Sequence, residues 1–142
     1  MRALLDVNVL IALLDADHLH HQSAHHWLER NLKHGWASCP ITQNGCIRIM
    51  SQPGYPNPLP AAEVVGRLAE AAAADHHEFW PDSVSFLDAD DIDPSRMLGS
   101  RQVTDAYLLA LAVHHKGRLV TFDRSVAIDV VPAAKPGHLH VL

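Results

Sequence analysis

The sequence predicts an α/β fold in which a mostly parallel central sheet is flanked by helices in three layers. Two observations support this prediction. Short apolar runs of strand length alternate with longer segments of helical periodicity along the whole chain, which is the pattern of parallel strands with helical crossovers. The chain has 142 residues, 48% of them hydrophobic, which is enough for one domain with its own core. We therefore expect residues 1–142 to form a single domain.

The predicted strands are short apolar segments bounded by polar or turn-forming residues. The first of them ends at Asp6, and Gly35 and Pro40 bound the second. The strands predicted in this way are residues 2–5, 36–39, 83–87 and 119–122, with residues 138–142 as a last edge strand.

The predicted helices combine apolar residues at helical spacing with capping signals. Asn8 is the expected cap of a helix that follows the first strand, and Thr42 is the expected cap of a helix that ends near Met50. Pro60 stands at one helix start and Gly117 at another helix end. The other predicted helices are residues 21–33, 60–74 and 104–116, and four prolines predict a loop at residues 52–60.

Composition excludes several classes of protein. The longest apolar region, residues 3–14, is interrupted by Asp6 and Asn8, so we expect no membrane span or signal peptide and a soluble, cytoplasmic protein. The formal charge of −5 argues against a protein that coats nucleic acid non-specifically. Cys39 and Cys46 are too few for a disulfide framework and are expected to be buried thiols.

Three aspartates lie where predicted elements begin or end. Asp6 and Asp123 directly follow apolar strands, and Asp105 stands at a helix start. In an open α/β sheet, residues beyond the carboxyl ends of adjacent strands meet at the crevice where the strand order reverses. Clustered carboxylates repel one another unless their pKa values rise or a cation binds, and oxygen ligands favour Mg²⁺ or Mn²⁺. The pattern therefore predicts metal-assisted chemistry on a phosphodiester.

Each aspartate also has a simpler structural interpretation. Asp105 is a favourable charge in the first turn of a helix, and Asp6 and Asp123 are compatible with turn formation. A different hypothesis, an aspartate-nucleophile phosphatase, is suggested by Asp6 and Asn8 after a strand, but no partner motif accompanies them.

Three motifs resemble those of PIN-domain proteins of the VapC type, the toxin half of a bacterial toxin–antitoxin pair. They are Leu5-Asp6-Val7-Asn8, Thr104-Asp105-Ala106-Tyr107-Leu108 and Thr121-Phe122-Asp123-Arg124. The resemblance implies a PIN-like fold, Mg²⁺- or Mn²⁺-dependent cleavage of RNA, a homodimer, and neutralisation by a VapB-type antitoxin. By position, it assigns the metal site to Asp6, Asp105 and Asp123. It assigns Asn8 and Thr121 to polar support around these ligands.

One departure from the family concerns a glutamate that such proteins usually place early in the third helix. The corresponding segment offers Gln43, whose amide cannot neutralise a cation or act as a base. Gln43 therefore leaves an alternative open, in which the chain is a catalytically weakened PIN-domain module that acts mainly through antitoxin binding.

Other polar residues are weaker candidates. Arg124 directly follows Asp123 and is a candidate phosphate contact, which Arg48, Arg96 and Arg101 would supplement if the fold brought them near the cleft. His21 and His25 share a helical face, but no third zinc ligand matches them, so exposed helix histidines are expected. The tryptophans are expected in the core rather than stacked on bases, and they are Trp27, Trp36 and Trp80.

Overall fold

The computed structural model describes residues 1–142 and contains a five-stranded sheet that is parallel throughout. The strand order is β3-β2-β1-β4-β5, so β1 and β4 are neighbours at the centre although most of the chain separates them. The strands are β1 Ala3–Leu5, β2 Trp36–Ser38, β3 His77–Phe79, β4 Arg118–Thr121 and β5 Leu139–Val141. The predicted sheet is confirmed, and its last strand lies at an edge as expected.

Five α-helices flank this sheet. They are α1 Val7–Leu14, α2 His21–Asn31, α3 Pro40–Ser51, α4 Ala61–Ala72 and α5 Val103–His114. The bounds of α2 to α5 were predicted to within a few residues, α1 follows the first strand as expected, and residues 52–60 form the expected loop. No helix has the length and apolar composition needed to cross a membrane.

Alternate residues of the central strands enter two apolar clusters, one on each face of the sheet. Leu4 and Leu119 are fully buried in the cluster that contains α5. Their neighbours Leu5 and Val120 pack on the opposite face with apolar residues of α1, α3 and α4. The period-two alternation of side chains along a strand therefore accounts for the three layers.

Two small residues and two large ones behave in the core as the sequence predicts. Cys39 and Cys46 are free and buried, and neither forms a disulfide. Trp36 and Trp80 are also buried, each in a different apolar cluster.

The strand predicted at residues 83–87 is wrong, and the strand actually present, β3, was missed. β3 consists of His77, Glu78 and Phe79, of which only Phe79 is apolar, so it lacks the apolar run by which the other strands were found. Backbone pairing with β2 holds it at the sheet edge. Val84 contributes its side chain to the core without any backbone pairing.

Two predicted helix caps are also corrected by the structure. Asp6, not Asn8, is the N-cap of α1, because the Asp6 carboxylate accepts a hydrogen bond from the Val7 backbone N–H at 2.7 Å. Helix α3 begins at Pro40 with Cys39 as its N-cap. Thr42 lies inside the first turn of that helix, where its hydroxyl bonds the backbone of the cap residue.

Gly117 connects α5 to β4 at a position with no room for a side chain. A Cβ there would lie 2.5 Å from the Arg2 backbone oxygen and 2.5 Å from Cη2 of the buried Trp80. We expect Gly117→Ala to lower the free energy of unfolding by about 1–3 kcal/mol, the usual cost of overpacking a core. Urea unfolding measures this change. Gly66→Ala is the control: a Cβ at Gly66, inside α4, meets nothing within 4 Å. It should be neutral or stabilising by up to about 1 kcal/mol.

Candidate active site

The candidate site lies at the carboxyl edge of the sheet, between β1 and β4. The chain adds β2 and β3 on one side of β1 and later adds β4 and β5 on the other side. The strand order therefore reverses between β1 and β4, which is where ligands bind in open α/β sheets. Asp6 directly follows β1 and Asp123 lies two residues beyond β4. The structure brings these two residues together as the sequence predicts, and their carboxylates repel each other.

Asp6 is a buried carboxylate with two hydrogen-bond donors. Its side chain is 6% exposed; the Val7 backbone N–H donates to one oxygen and the Thr121 hydroxyl donates to the other at 2.7 Å. Burial raises the pKa of Asp6 above its usual value, whereas the hydrogen bonds from Thr121 and Val7 lower it. The charge of Asp123 raises the pKa further. These two donors are therefore what stabilises a charge at this buried position.

The hydroxyl of Thr121 uses its full hydrogen-bonding capacity at the site. Besides donating to Asp6, it accepts from the backbone N–H of Asp123 at 3.0 Å and from the side-chain amide of Asn8 at 3.4 Å. The Asn8 amide oxygen in turn accepts from the Phe122 backbone N–H at 3.4 Å. Thr121 and Asn8 therefore connect the first turn of α1 to the end of β4 and to both strand-end aspartates.

Asp105 completes a group of three carboxylates, Asp6, Asp105 and Asp123, which we call the carboxylate cluster. Its pKa is raised to about 7, first by burial and then by the charges of Asp6 and Asp123. Hydrogen bonds from the Ser125 hydroxyl and backbone N–H, at 2.7 and 2.8 Å, lower the pKa of Asp123. Asp105 and Asp123 are also within hydrogen-bonding reach of each other. Without a cation, Asp105 is therefore about half protonated near pH 7.

The donor set of the cluster fits a hard cation that keeps part of its water. No three His, Cys, Asp or Glu side chains form a ready-made metal cage in the protein. Mg²⁺ does not require such a cage, since it commonly binds one or two carboxylates and completes its shell with water and phosphate oxygens. All the ligands are oxygen atoms, as a hard cation prefers. The raised pKa of Asp105 means that a divalent cation bound here would take the place of a proton.

A cavity of about 490 Å³ opens beside Asp6, between the first turns of α1 and α5 and one face of α3. Its polar lining includes Asn44, Arg48 and Thr104. Of these, only Arg48 was a candidate from the sequence, as a supplementary phosphate contact. Ile41, Asn44, Gly45 and Arg48 follow the i, i+3, i+4, i+7 spacing of one helical face, and all of them line the cavity. The spacing of these four residues was therefore visible in the sequence. That their face of α3 lies beside Asp6 follows only from the packing of α3 against α1 in the structure.

Comparison with known proteins agrees with this geometry. The PIN domain model matches residues 3–131. Ribonuclease VapC44 of Mycobacterium tuberculosis (strain ATCC 25618 / H37Rv) is 56% identical over 142 residues, with 100% of both chains covered. The chain belongs to the VapC ribonucleases of the PIN-domain family.

Other relatives of this VapC-type chain are more distant. Ribonuclease VapC39 of the same organism is 41% identical over 128 residues, which cover 89% of this chain and 92% of the relative. A crystal structure of VapBC2 from Rickettsia felis, bound to a DNA fragment from its promoter, aligns with a TM-score of 0.67 at 14% identity. The alignment covers 100% of this chain and 99% of the other, and it shows a shared fold.

The side chain of Gln43 in this VapC-type chain makes its hydrogen bond to β2 and none to the carboxylate cluster. Its side-chain amide donates a hydrogen bond to the Ser38 hydroxyl at 3.0 Å, and that hydroxyl also bonds Nε2 of His77 at 2.8 Å. Gln43 contacts a shallow groove against α4 and does not line the cavity beside Asp6. Its neighbour Asn44 does line that cavity. The catalytically weakened module therefore stays a prediction, which substitution at Gln43 tests.

We expect Gln43→Glu to change RNA cleavage by less than about tenfold, which is less than about 1.4 kcal/mol of transition-state stabilisation. The new carboxylate would accept a hydrogen bond from the Ser38 hydroxyl, outside the cavity beside Asp6. Initial cleavage rates under saturating Mn²⁺ measure the effect. Asn44→Glu is the matched comparison, since it puts a carboxylate in the cavity with Asp6, and a change in Mn²⁺ affinity is expected only there. A large gain in cleavage by Gln43→Glu would contradict this and support the weakened module.

The arginine candidates separate clearly in the structure. Arg96 is paired with Asp93 at 3.2 Å and with Asp129 at 3.6 Å, so its charge is engaged elsewhere. Arg124 is exposed directly after Asp123, and Arg101 is exposed before α5. Only Arg48 lines the cavity beside Asp6.

His21 and His25 are half-buried, and the expectation of exposed histidines is wrong for this pair. The Nδ1–H of His21 donates to the Ala12 carbonyl at 2.7 Å, and the Nε2–H of His25 donates to the Leu13 carbonyl at 3.2 Å. Both carbonyls belong to the last turn of α1, which lacks partners within the helix. The pair therefore caps the C-terminus of α1.

Proposed function

We propose that this VapC-type chain is a Mg²⁺- or Mn²⁺-dependent endoribonuclease toxin that hydrolyses phosphodiester bonds of RNA. The observation that carries the proposal is the carboxylate cluster, in which burial and mutual repulsion raise the pKa of Asp105 to about 7. The relatives VapC44 and VapC39 are named ribonucleases, which supports the reaction and the substrate class. Residues 1–142 would act as a single PIN-like domain.

Asp6, Asp105 and Asp123 would hold the cation. When bound, the cation supplies a positive charge that polarises the scissile phosphate and lowers the pKa of water at neutral pH. The buried position of Asp6 fixes that carboxylate to within hydrogen-bonding distance of Thr121 and Val7. The less buried Asp105 and Asp123 provide the side of the cluster that solvent and substrate reach.

The residues around the cluster would orient and complement it. Thr121 would orient Asp6 through its hydroxyl, and Asn8 would hold Thr121 and the end of β4 in place. Arg124 is exposed and directly follows Asp123, so it would contact an RNA phosphate bound next to the carboxylate cluster. Gln43 supports β2 through Ser38 rather than supplying a catalytic group.

The proposal extends to the partners of the chain. A VapB-type antitoxin would neutralise the nuclease, which is supported by the similarity of fold to VapBC2 of Rickettsia felis. The resemblance to VapC toxins also supports a homodimer and a location in the cytoplasm, and both are part of the proposal.

The decisive experiment incubates the purified chain with total RNA in Mg²⁺, in Mn²⁺ and in excess EDTA, and then maps the cut sites by sequencing. The expected result is a defined set of internal cuts that requires either cation. Asp6→Asn purified in the same way is the control for a contaminating nuclease and should give no cuts. Cleavage that persists in EDTA, or that Asp6→Asn leaves unchanged, would overturn the proposal.

A further inference from the structure

The cavity beside Asp6 has the size and composition of a site for one nucleotide. Its volume of about 490 Å³ lies within the range of small-molecule pockets. Val7 of α1 and Ile41 and Ile49 of α3 give it apolar walls. Asp6 belongs both to this cavity and to the carboxylate cluster, so a group bound here lies next to the proposed reaction centre.

Apart from Asp6, the polar side chains that line the cavity are exposed and have no partners within the protein. Asn44 and Thr104 make no side-chain hydrogen bond, and Arg48 makes neither a hydrogen bond nor an ion pair, although it lines the same cavity as an acidic residue. By contrast, Arg2, Arg67 and Arg96 all pair with carboxylates. The cavity therefore presents an available cation, an amide and a hydroxyl beside apolar walls.

The close approach of α3 to α1 shapes this cavity and depends on Gly45. A Cβ at Gly45 would lie 2.7 Å from Cγ2 of Val7, one of the apolar walls. Glycine inside a helix costs about 1 kcal/mol of helix stability relative to alanine. At Gly45 this cost is offset because a larger residue would push α3 away from Val7. As a result, Asn44 and Arg48 of α3 line the same cavity as Val7 and Asp6.

We propose that this cavity binds one unpaired nucleotide of the RNA next to the scissile phosphate, an inference that rests on the proposed function. The Arg48 guanidinium contacts a backbone phosphate, and the Asn44 amide bonds the edge of the base. Val7, Ile41 and Ile49 pack against the face of the base. Asn44 and Arg48 are thus binding residues that determine which RNA sequence is cut.

The chemistry of the lining favours a nucleotide over a free anion. A bare phosphate would use Arg48 alone and leave the apolar walls and the Asn44 amide uncovered. An unstacked base has an apolar face and a hydrogen-bonding edge, and proteins recognise single-stranded RNA through both. A guanidinium and a phosphate form a charge-assisted pair that adds affinity without base selectivity. The two roles therefore separate onto two residues, and each can be tested alone.

The role of Arg48 is tested by RNA binding without cleavage. Arg48→Ala is made in an Asp105→Asn background, and its affinity for a short single-stranded RNA containing a mapped cut site is measured in Mg²⁺ by fluorescence anisotropy over a range of salt. We expect a loss of about tenfold to hundredfold, the usual effect of a hydrogen bond to a charged group. The slope of log affinity against log salt should fall by about 0.7, the value for one phosphate contact on a single strand.

Arg30→Ala in the same background is the matched control. Arg30 is exposed on α2, has no ion pair and does not line the cavity. It should leave both affinity and salt slope unchanged. If Arg48→Ala keeps the affinity and slope of its background, or if Arg30→Ala lowers them equally, the phosphate contact is refuted.

The role of Asn44 is tested by cut-site mapping in the otherwise unaltered protein. Asn44→Ala should still cleave RNA in a metal-dependent way, but the preference for one base beside the cut should weaken by about tenfold or more. An unchanged base preference with active enzyme would overturn the base contact. Absence of cleavage by the wild-type chain would instead refute the proposed function, so the two failures are distinguishable.

Discussion

Asp105→Asn is expected to abolish metal-dependent RNA cleavage while making the metal-free protein more stable. The loss of cleavage should be on the order of 10²–10³-fold, because a catalytic cation contributes several kcal/mol of charge stabilisation and Asn lowers its affinity. The gain in stability has a different origin. Burial and the charges of Asp6 and Asp123 raise the pKa of Asp105 to about 7, so its ionised form destabilises the fold.

The sign of the pH effect follows from the raised pKa. An unfolded aspartate has a pKa of about 3.9. Between that value and the folded value of about 7, the native state binds more protons than the unfolded state. The free energy of unfolding therefore falls as the pH rises through this window. Asp105→Asn removes that dependence, since the amide is neutral and its N–H still donates to Asp123.

Urea unfolding in excess EDTA at pH 5 and pH 8 measures this difference. Asp105→Asn should exceed the wild type by about 1–2 kcal/mol at pH 8, a value that allows for the half-exposed position, and by less at pH 5. Asp75→Asn is the control, since Asp75 is exposed, and it should change neither stability nor cleavage. A destabilised but active Asp105→Asn protein would show that Asp105 is only a helix-start residue.

The elements that sequence predicted correctly are those in which local pattern and tertiary setting agree. Helix α5 has apolar residues on nearly every side and is buried, and β1 and β4 are apolar and central. β3 was missed because an edge strand needs no apolar run: its polar residues pair with β2 on one side and face solvent on the other. The cap of α1 was misplaced by two residues because Asp6, which directly follows β1, is itself the cap, so that no loop residue separates the strand from the helix.

The aspartates of the site were predictable because sheet topology alone places strand ends together. Asp6 and Asp123 follow neighbouring parallel strands, whatever their side chains contact. The orientation of residues on α3 was not predictable in the same way. A shift of one residue rotates a helical position by about 100°, and this separates Gln43, which faces α4, from Asn44, which faces Asp6. Motif position identified Gln43, whereas the residue of this turn that lines the cavity beside Asp6 is Asn44.

Thr121→Val is expected to weaken both the fold and metal binding, although the two side chains have nearly the same shape. The valine methyl cannot donate to the buried Asp6 carboxylate or accept from the Asp123 N–H. Loss of a hydrogen bond to a buried charge costs about 1.5–3 kcal/mol of stability. Loss of a group that orients metal ligands lowers metal affinity about tenfold to hundredfold. Urea unfolding and calorimetric titration with Mn²⁺ measure the two effects.

The pH dependence of Thr121→Val separates the hydrogen bond from packing. The Thr121 donor lowers the pKa of Asp6, so Thr121→Val raises that pKa further. The stability difference from the wild type should therefore be largest above the pKa of Asp6 and shrink as the pH falls and the carboxylate protonates. Thr121→Ser is the matched variant: it keeps the hydroxyl and loses only a buried methyl group. It should cost about 1 kcal/mol at every pH and retain Mn²⁺ affinity. Equal loss of Mn²⁺ affinity in both variants would show that the methyl group, not the hydroxyl, positions Asp6.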